Sequence, residues 1–142
     1  MGEDVNIQDE LLATVVKYRT LGRLNYYAAF ALYGVSVLSS ILATGTALSH
    51  VLSAPAQAAL TAVPGAALLI ASTFKFSERS NWHYKKKNQL NALYRLAITQ
   101  AAGTSAPQIA EKWNKIDSSM EESWPGFGTL SVASSEQKRA SR

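Results

Sequence analysis

Few side chains in this sequence could perform acid–base, nucleophilic or metal chemistry, and they do not converge. The chain has no cysteine and only two histidines. An apolar segment lies between His50 and His83, so the two rings cannot share a site. The acidic pairs Asp9–Glu10 and Glu121–Glu122 are adjacent in sequence, which on a helix points their side chains about 100° apart. The sequence has no glycine-rich phosphate loop, HExxH motif or nucleophile elbow. We therefore expect a protein that is not an enzyme and that holds no metal or other cofactor.

Small and hydroxyl-bearing side chains show a more informative spacing, because they recur every four residues. Small faces let helices approach closely in lipid, and hydroxyl groups commonly line aqueous pores. Two interpretations stay open: a single hairpin packed through its small faces, or several hairpins associated around a wet lumen. The candidate pore-lining residues are Ser36, Ser40 and Thr44, and the candidate helix-packing residues are Ala58, Ala62 and Ala66, with Ala67 and Ala71 beside them.

These residues lie in a stretch without formal charge that runs from Leu24 to Phe74. A hydrocarbon core needs about 20 apolar residues in a helix, so the stretch predicts two membrane spans, at about 26–49 and 56–74. The break between them carries His50, Ser53, Pro55 and Gln57, and proline disfavours a continuing helix. Pro64 and Gly65 fall inside the second span, where we expect a local bend and a candidate hinge.

Flanking charge predicts the orientation of this hairpin. Basic residues precede the first span and follow the second, whereas the tip has no lysine or arginine. The positive-inside rule then places both termini in the cytoplasm and makes the chain a multi-pass protein of the cell inner membrane. We expect Trp82 and the run Lys85, Lys86 and Lys87 to lie at the membrane interface and to contact lipid headgroups rather than nucleic acid. The basic residues are Lys17, Arg19 and Arg23 on one side and Lys75, Arg79 and the lysine run on the other.

Two other interpretations of the apolar stretch are weaker. A cleavable signal peptide is disfavoured because the stretch is about twice the usual apolar length and follows a long, partly acidic leader. A soluble helical bundle is disfavoured because its helices would carry a polar stripe. The membrane hairpin remains the best interpretation.

The charged parts of the chain predict three cytoplasmic helices, at about 9–24, 76–100 and 107–123. The first should run directly into the first span. Residues 1–8 should be a flexible N-terminus and 129–142 a disordered basic tail. Together the pattern predicts an all-α membrane protein, a two-transmembrane helical hairpin with cytoplasmic helical extensions. The residues at helical spacing are Leu11, Leu12, Val15, Val16 and Tyr18, then Trp82, Lys86, Leu90, Leu93 and Ala97 on one face, then Ile109, Trp113, Ile116 and Met120.

This arrangement resembles the SLATT family, the SMODS and SLOG-associating two-transmembrane effector domains. The resemblance covers about residues 8–128 and consists of architecture and scattered aromatic residues. It is carried by Trp82 after the second span, by the helix Asn88-Gln89-Leu90-Asn91-Ala92-Leu93-Tyr94-Arg95, and by Trp113, Ile116, Met120 and Trp124-Pro125.

The resemblance implies a bacterial conflict or antiviral defence effector that forms homo-oligomers and permeabilises the inner membrane in response to a nucleotide signal. The sequence has no fused sensor, so we expect sensing to belong to a separate nucleotide-sensing or nucleotide-synthesising partner protein. Two alternatives stay open: a non-conducting membrane anchor or scaffold for a cytoplasmic partner, and a phage-type holin.

Overall fold

The computed structural model describes residues 2–99 and 105–127, with side chains from residue 7 onward. Within these ranges the chain is almost entirely helical and contains no strand, which confirms the all-α prediction. The predicted tail at 129–142 lies outside the described residues. The helices are α1 (Gly2–Ser49), α2 (Ala54–Phe74), α3 (Phe76–Ile98) and α4 (Ala106–Glu122).

The first helix begins earlier than the sequence analysis expects. α1 begins at Gly2, so residues 2–8, expected to be flexible, have helical backbone. It also continues from the charged segment at residues 9–24 into the first apolar segment without interruption. No proline occurs before position 55, so nothing forces the helix to end earlier.

The helix ends follow local backbone chemistry. His50 has a φ of 52°, in the left-handed region, and the next helix follows with Ser53 at its N-cap and Pro55 in its first turn. Lys75 has a φ of 49°, and its N–H donates a hydrogen bond of 3.0 Å to the carbonyl of Ala71. Pro107 lies in the first turn of α4, where its missing N–H needs no partner. Prolines and polar turn residues therefore set the boundaries.

The chain forms two units, and the first comprises Met1–Ala31 and Phe76–Pro125. Its core joins the three predicted cytoplasmic helices, and the side chains of Leu11 and Leu90 are completely buried. α3 runs antiparallel to α1, since Gln8 contacts Ala97 near one end and Ser80 contacts Gly22 near the other. The core cluster is Leu11, Val15, Leu90, Leu93, Ala97 and Ile109.

The second unit comprises Leu32–Lys75 and Gly126–Arg142. Within it, the end of α1 and the whole of α2 pack against each other on either side of the tip at residues 50–53. The large apolar side chains of this unit mostly lie outside that contact. Those exposed between residues 32 and 75 are Tyr33, Val35, Val37, Leu38, Ile41, Leu42, Leu48, Val51, Leu52, Leu68, Leu69, Ile70 and Phe74.

Candidate functional site

In the hairpin of the second unit, α1 and α2 pack against each other through small side chains. Ser36, Ser39 and Ala43 are buried on α1, and Ala67 and Ala71 are buried on α2. Small side chains at these positions allow the two backbones to approach. This contact is the interior of the hairpin.

The candidate pore-lining residues divide between two surfaces. Ser36 is buried inside the hairpin, where its hydroxyl lies 3.5 Å from the carbonyl oxygen of Pro64. Ser40 and Thr44 are exposed, and each hydroxyl donates to the carbonyl four residues earlier, at 2.8 and 2.9 Å. Such internal bonds satisfy the hydroxyl in any surroundings. Of the three candidate pore-lining residues, only Ser40 and Thr44 therefore lie on the outer surface of the hairpin.

The candidate packing residues Ala58, Ala62 and Ala66 are all exposed. The alanines that pack within the hairpin are their neighbours Ala67 and Ala71. A helix turns by about 100° per residue, so a shift of one position moves the contact to another face. Ala58, Ala62 and Ala66, the Ala58 stripe, thus lie on the exposed surface of the hairpin, and their role in contacts between copies stays a prediction.

Gln57, expected in the break between the spans, lies in α2 and joins the two helices of this hairpin, a role that was not predicted. Its Nε2 donates to the carbonyl of Ala43 at 2.7 Å, and its Oε1 accepts from the hydroxyl of Thr46 at 2.8 Å. Both bonds join the end of α1 to the first turns of α2. The sequence did carry a signal, because an amide side chain among apolar residues needs hydrogen-bond partners.

The predicted hinge lies within an unbroken helix. α2 continues through Pro64, whose missing N–H leaves one carbonyl of the preceding turn without its usual helical partner. At Gly65 a side chain would meet no atom within 4 Å, so the position is not held by close packing. The hinge itself stays a prediction.

The first unit contains a cluster around Lys86, which corrects the expectation that this residue faces lipid headgroups. The Lys86 side chain is 7% exposed, and its Nζ lies 2.9 Å from Oδ1 of Asp117. The same Nζ lies 4.7 Å from the ring centre of Tyr18 and 5.3 Å from that of Trp82. At these distances the interaction between the ammonium and each ring is attractive. Of the lysine run, Lys85 is exposed, and its contact with headgroups stays a prediction.

The groups around Lys86 favour its protonated, charged form. Burial alone would lower the pKa of Lys86, but hydrogen bonds to Asp117 and Tyr18 outweigh burial and raise the pKa. The ammonium therefore stays protonated at neutral pH, and α4 is tied to α3 by an ion pair. This is a structural role, since a lysine with a raised pKa is a poor general base.

His83 lies in the same cluster and is 7% exposed. Burial lowers its pKa, and the positive charges of Arg79 and Lys86 lower it further. Its Nδ1 is buried without a hydrogen-bond partner among the described residues. The ring is therefore neutral at pH 7. Within residues 7–99 and 105–127 there is no group of histidine and carboxylate side chains that could hold a metal ion.

Trp82 is half-buried rather than fully available to a membrane interface. Its Nε1–H donates to the carbonyl of Met120 at 2.8 Å, and its ring meets that of Trp124 edge to face with centroids 4.6 Å apart. The guanidinium of Arg79 lies 5.2 Å from the Trp124 ring centre. The residues around Trp82 thus fasten the end of α4 and the turn after it to the start of α3.

Two helical stretches have the length and composition needed to cross a membrane. They are Ile7–Ser49, within α1, and Ala54–Ile98, which covers α2 and α3. Only 22% and 11% of their most apolar segments are buried. A core helix of a soluble protein would be mostly buried. The chemical arrangement is thus an apolar hairpin in one unit and a polar helical bundle in the other.

Comparison with known proteins identifies no relative of the chain. No protein-family model, curated protein or solved structure matches the chain.

Proposed function

We propose that this protein is an inner-membrane effector that inserts as a helical hairpin, oligomerises and permeabilises the membrane. The observation that carries the proposal is the exposed apolar surface of the second unit. Leu38, Ile41 and Leu42 are 62%, 63% and 59% exposed on consecutive turns of α1. Apolar surface of this extent is unfavourable in water and matches the hydrocarbon region of a bilayer.

The charge distribution supports an orientation with both ends of the chain on the cytoplasmic side. The first unit carries most of the basic residues that flank the apolar segments, and Lys75 ends the apolar part of the second unit. The tip at residues 50–53 carries neither lysine nor arginine. Basic residues near the ends of spans remain preferentially on the cytoplasmic side. The polar helical bundle would then lie in the cytoplasm.

Two exposed features of the hairpin support association of several copies around a lumen. Ser40 and Thr44 present hydroxyl-bearing positions on α1, and the Ala58 stripe presents small side chains on α2. Small residues favour close helix association in lipid, and hydroxyl groups suit a hydrated lining. A role in a nucleotide-signalled conflict system, with a separate nucleotide-sensing or nucleotide-synthesising partner, has its support in the SLATT resemblance alone.

The test is leakage of a small dye from vesicles that contain the purified full chain. Replacing Ser40 and Thr44 together by leucine should reduce leakage to the level of empty vesicles, because leucine removes both the hydroxyls and the free cross-section. Ser36 is left unchanged, since a leucine there would disturb the hairpin interior.

The matched control is Thr61→Leu combined with Ser72→Leu. These two hydroxyls are also exposed and bonded to their own helix, but lie on α2. The control should leak like the parent chain. Equal leakage from both double variants would refute the proposal that Ser40 and Thr44 line the lumen. A parent chain that inserts without any leakage would favour a non-conducting membrane anchor over a pore.

A further inference from the structure

An open groove runs between α3 and α4 on the surface of the first unit. Its volume is about 540 Å³, and its floor is apolar. Two lysine side chains on α4 form its rim, and neither ammonium lies within ion-pair distance of a carboxylate among the described residues. The floor consists of the apolar lining residues Ala92, Leu93, Leu96 and Ile116, and the rim consists of the exposed Lys112 and Lys115. The groove therefore suits an apolar helix face that carries a negative charge.

A second unpartnered surface of the same unit lies on the first turns of α1. Asp9, Leu12, Ala13 and Val16 share one helical face, at the spacing i, i+3, i+4 and i+7. All four are exposed, with Leu12 at 42% and Val16 at 53%. This α1 face therefore combines an apolar stripe of three residues with a carboxylate at one end.

We propose that the α1 face of one copy docks into the α3–α4 groove of a second copy. The proposal rests on the oligomeric state in the proposed function and names the surfaces that would form it. Three segments have the same length of two helical turns, about 10 Å each: Asp9 to Val16, Gln89 to Leu96, and Lys112 to Ser119.

Docking removes the exposed apolar surface of both partners from water. Leu12 and Val16 are covered by the floor of the groove, and burial of such side chains favours association. The small side chain of Ala13 lies between them on the same face, so the α1 backbone can approach the groove closely. The apolar stripe and the apolar floor thus match in length and in chemistry.

Charge complementarity fixes the direction of the docked helix. With α1 parallel to the α4 of the neighbouring copy, Asp9 lies beside Lys112, and Arg19 lies near Glu122 at the other end of α4. The antiparallel direction would bring Arg19 towards Lys112, and like charges in contact are unfavourable. The parallel arrangement is therefore the one that the charges select.

The same direction is also the one that a closed ring requires. Within one copy, α3 is antiparallel to α1, as shown above. It is antiparallel to α4 as well, because Trp82 meets Met120 and Lys86 meets Asp117. α1 and α4 of one copy are thus parallel, and docking parallel to α4 keeps the α1 helices of all copies parallel. A contact between two different surfaces that preserves direction can repeat around an axis and close into a ring.

The natural absence of cysteine makes this contact testable by disulfide formation. Two differently tagged full-length chains, one with Val16→Cys and the other with Ser119→Cys, are co-expressed and oxidised in isolated membranes. A disulfide-linked heterodimer is expected. The control replaces Ser119→Cys by Ser118→Cys, an exposed neighbour about 100° around α4.

A heterodimer at the control level would overturn the proposal. So would a dominant homodimer of the Val16→Cys chain, which would indicate a contact between two α1 faces. Adducts of either cysteine with a different protein would also overturn it, because the occupant would then not be a second copy.

Charge exchange tests the direction independently. Lys112→Glu should abolish the disulfide between Val16→Cys and Ser119→Cys, and Asp9→Lys on the partner chain should restore it. Failure of the restoration would contradict the parallel pairing. These readouts are separate from leakage: disulfides without leakage would refute the pore but not the docking, and leakage without disulfides would refute the docking but not the pore.

Discussion

The two partners of the ion pair between Lys86 and Asp117 differ in burial, so replacing one should affect stability more than replacing the other. The Lys86 side chain is 7% exposed, whereas that of Asp117 is 38% exposed. Removing the exposed partner leaves a buried ammonium without its counter-charge. Removing the buried partner leaves a carboxylate on a partly exposed side chain, although the Oδ1 that faced Lys86 is itself buried. The two single substitutions should therefore have unequal effects on stability.

Asp117→Asn should lower the free energy of unfolding of the first unit by about 1–3 kcal/mol. The effect is smaller than the ~3–5 kcal/mol found for fully buried pairs, since water screens Asp117 and the rings of Tyr18 and Trp82 still face the cation. Lys86→Met keeps the apolar stem and removes the desolvated charge, so its effect should stay within about 1 kcal/mol. The double variant should resemble Lys86→Met.

The assay is urea unfolding of the full chain in a mild detergent, followed by tryptophan fluorescence, since Trp82 and Trp124 lie beside the pair. Lys85→Met, at the exposed neighbouring lysine, is the matched control and should change stability by less than about 0.5 kcal/mol. If Lys86→Met proved as destabilising as Asp117→Asn, or more so, the asymmetry argued from burial would be wrong.

Three further predictions concern pH, the hairpin tip and packing. Burial lowers the pKa of His83 below its ordinary 6.5, so the unfolded chain binds more protons. The resulting stability is fully present above pH 6.5 and lost as the pH falls through the folded pKa; unfolding at pH 7.5 and 5.5 should show this loss, and His83→Phe should reduce it. Gln57→Leu removes the two hydrogen bonds that join α1 to α2 and should lower the stability of the hairpin by about 1–2 kcal/mol. The measurement is amide hydrogen exchange near the tip, which should become faster; unchanged exchange would contradict a stabilising role for Gln57. Gly22→Leu should destabilise by about 1–3 kcal/mol, because even a Cβ there would lie 3.3 Å from the ring of Tyr84; unaltered urea unfolding would show that the ring yields freely.

Much of the helical architecture was predictable from the sequence because its causes are local. Pro107 lies in the first turn of α4 as expected, and the stripes on α3 and α4 bury Leu90, Leu93 and Ile109 as their spacing predicts. Pro55, expected in the break before residue 56, instead lies in the first turn of α2. Helix periodicity and proline chemistry need no knowledge of the partner element. These features therefore transfer directly from sequence to structure.

The faces of the apolar helices were harder to predict. On α2 both the Ala58 stripe and the pair Ala67 and Ala71 have small residues four apart, and composition does not distinguish them. The difference is the rotation of α2 against α1, which depends on contacts such as Gln57 with Thr46. Local spacing cannot specify that rotation.

The role of Lys86 was missed for a related reason. A lysine beside two other lysines predicts a solvated or headgroup-facing run, and the exposure of Lys85 fits that pattern. Lys86 also shares the stripe of Leu90 and Leu93, and a cation on an apolar stripe implies an anion from another helix. Only the packing of α4 identifies that anion as Asp117.

The central claim, a membrane hairpin with both ends on one side, is tested most directly by cysteine labelling in spheroplasts. Full chains with Ser53→Cys at the tip or Asn114→Cys on α4 are exposed to a membrane-impermeant maleimide before and after lysis. The account predicts that Ser53→Cys is labelled in intact spheroplasts and that Asn114→Cys is labelled only after lysis. Protection of both positions until lysis, with the chain recovered in the aqueous supernatant, would contradict it.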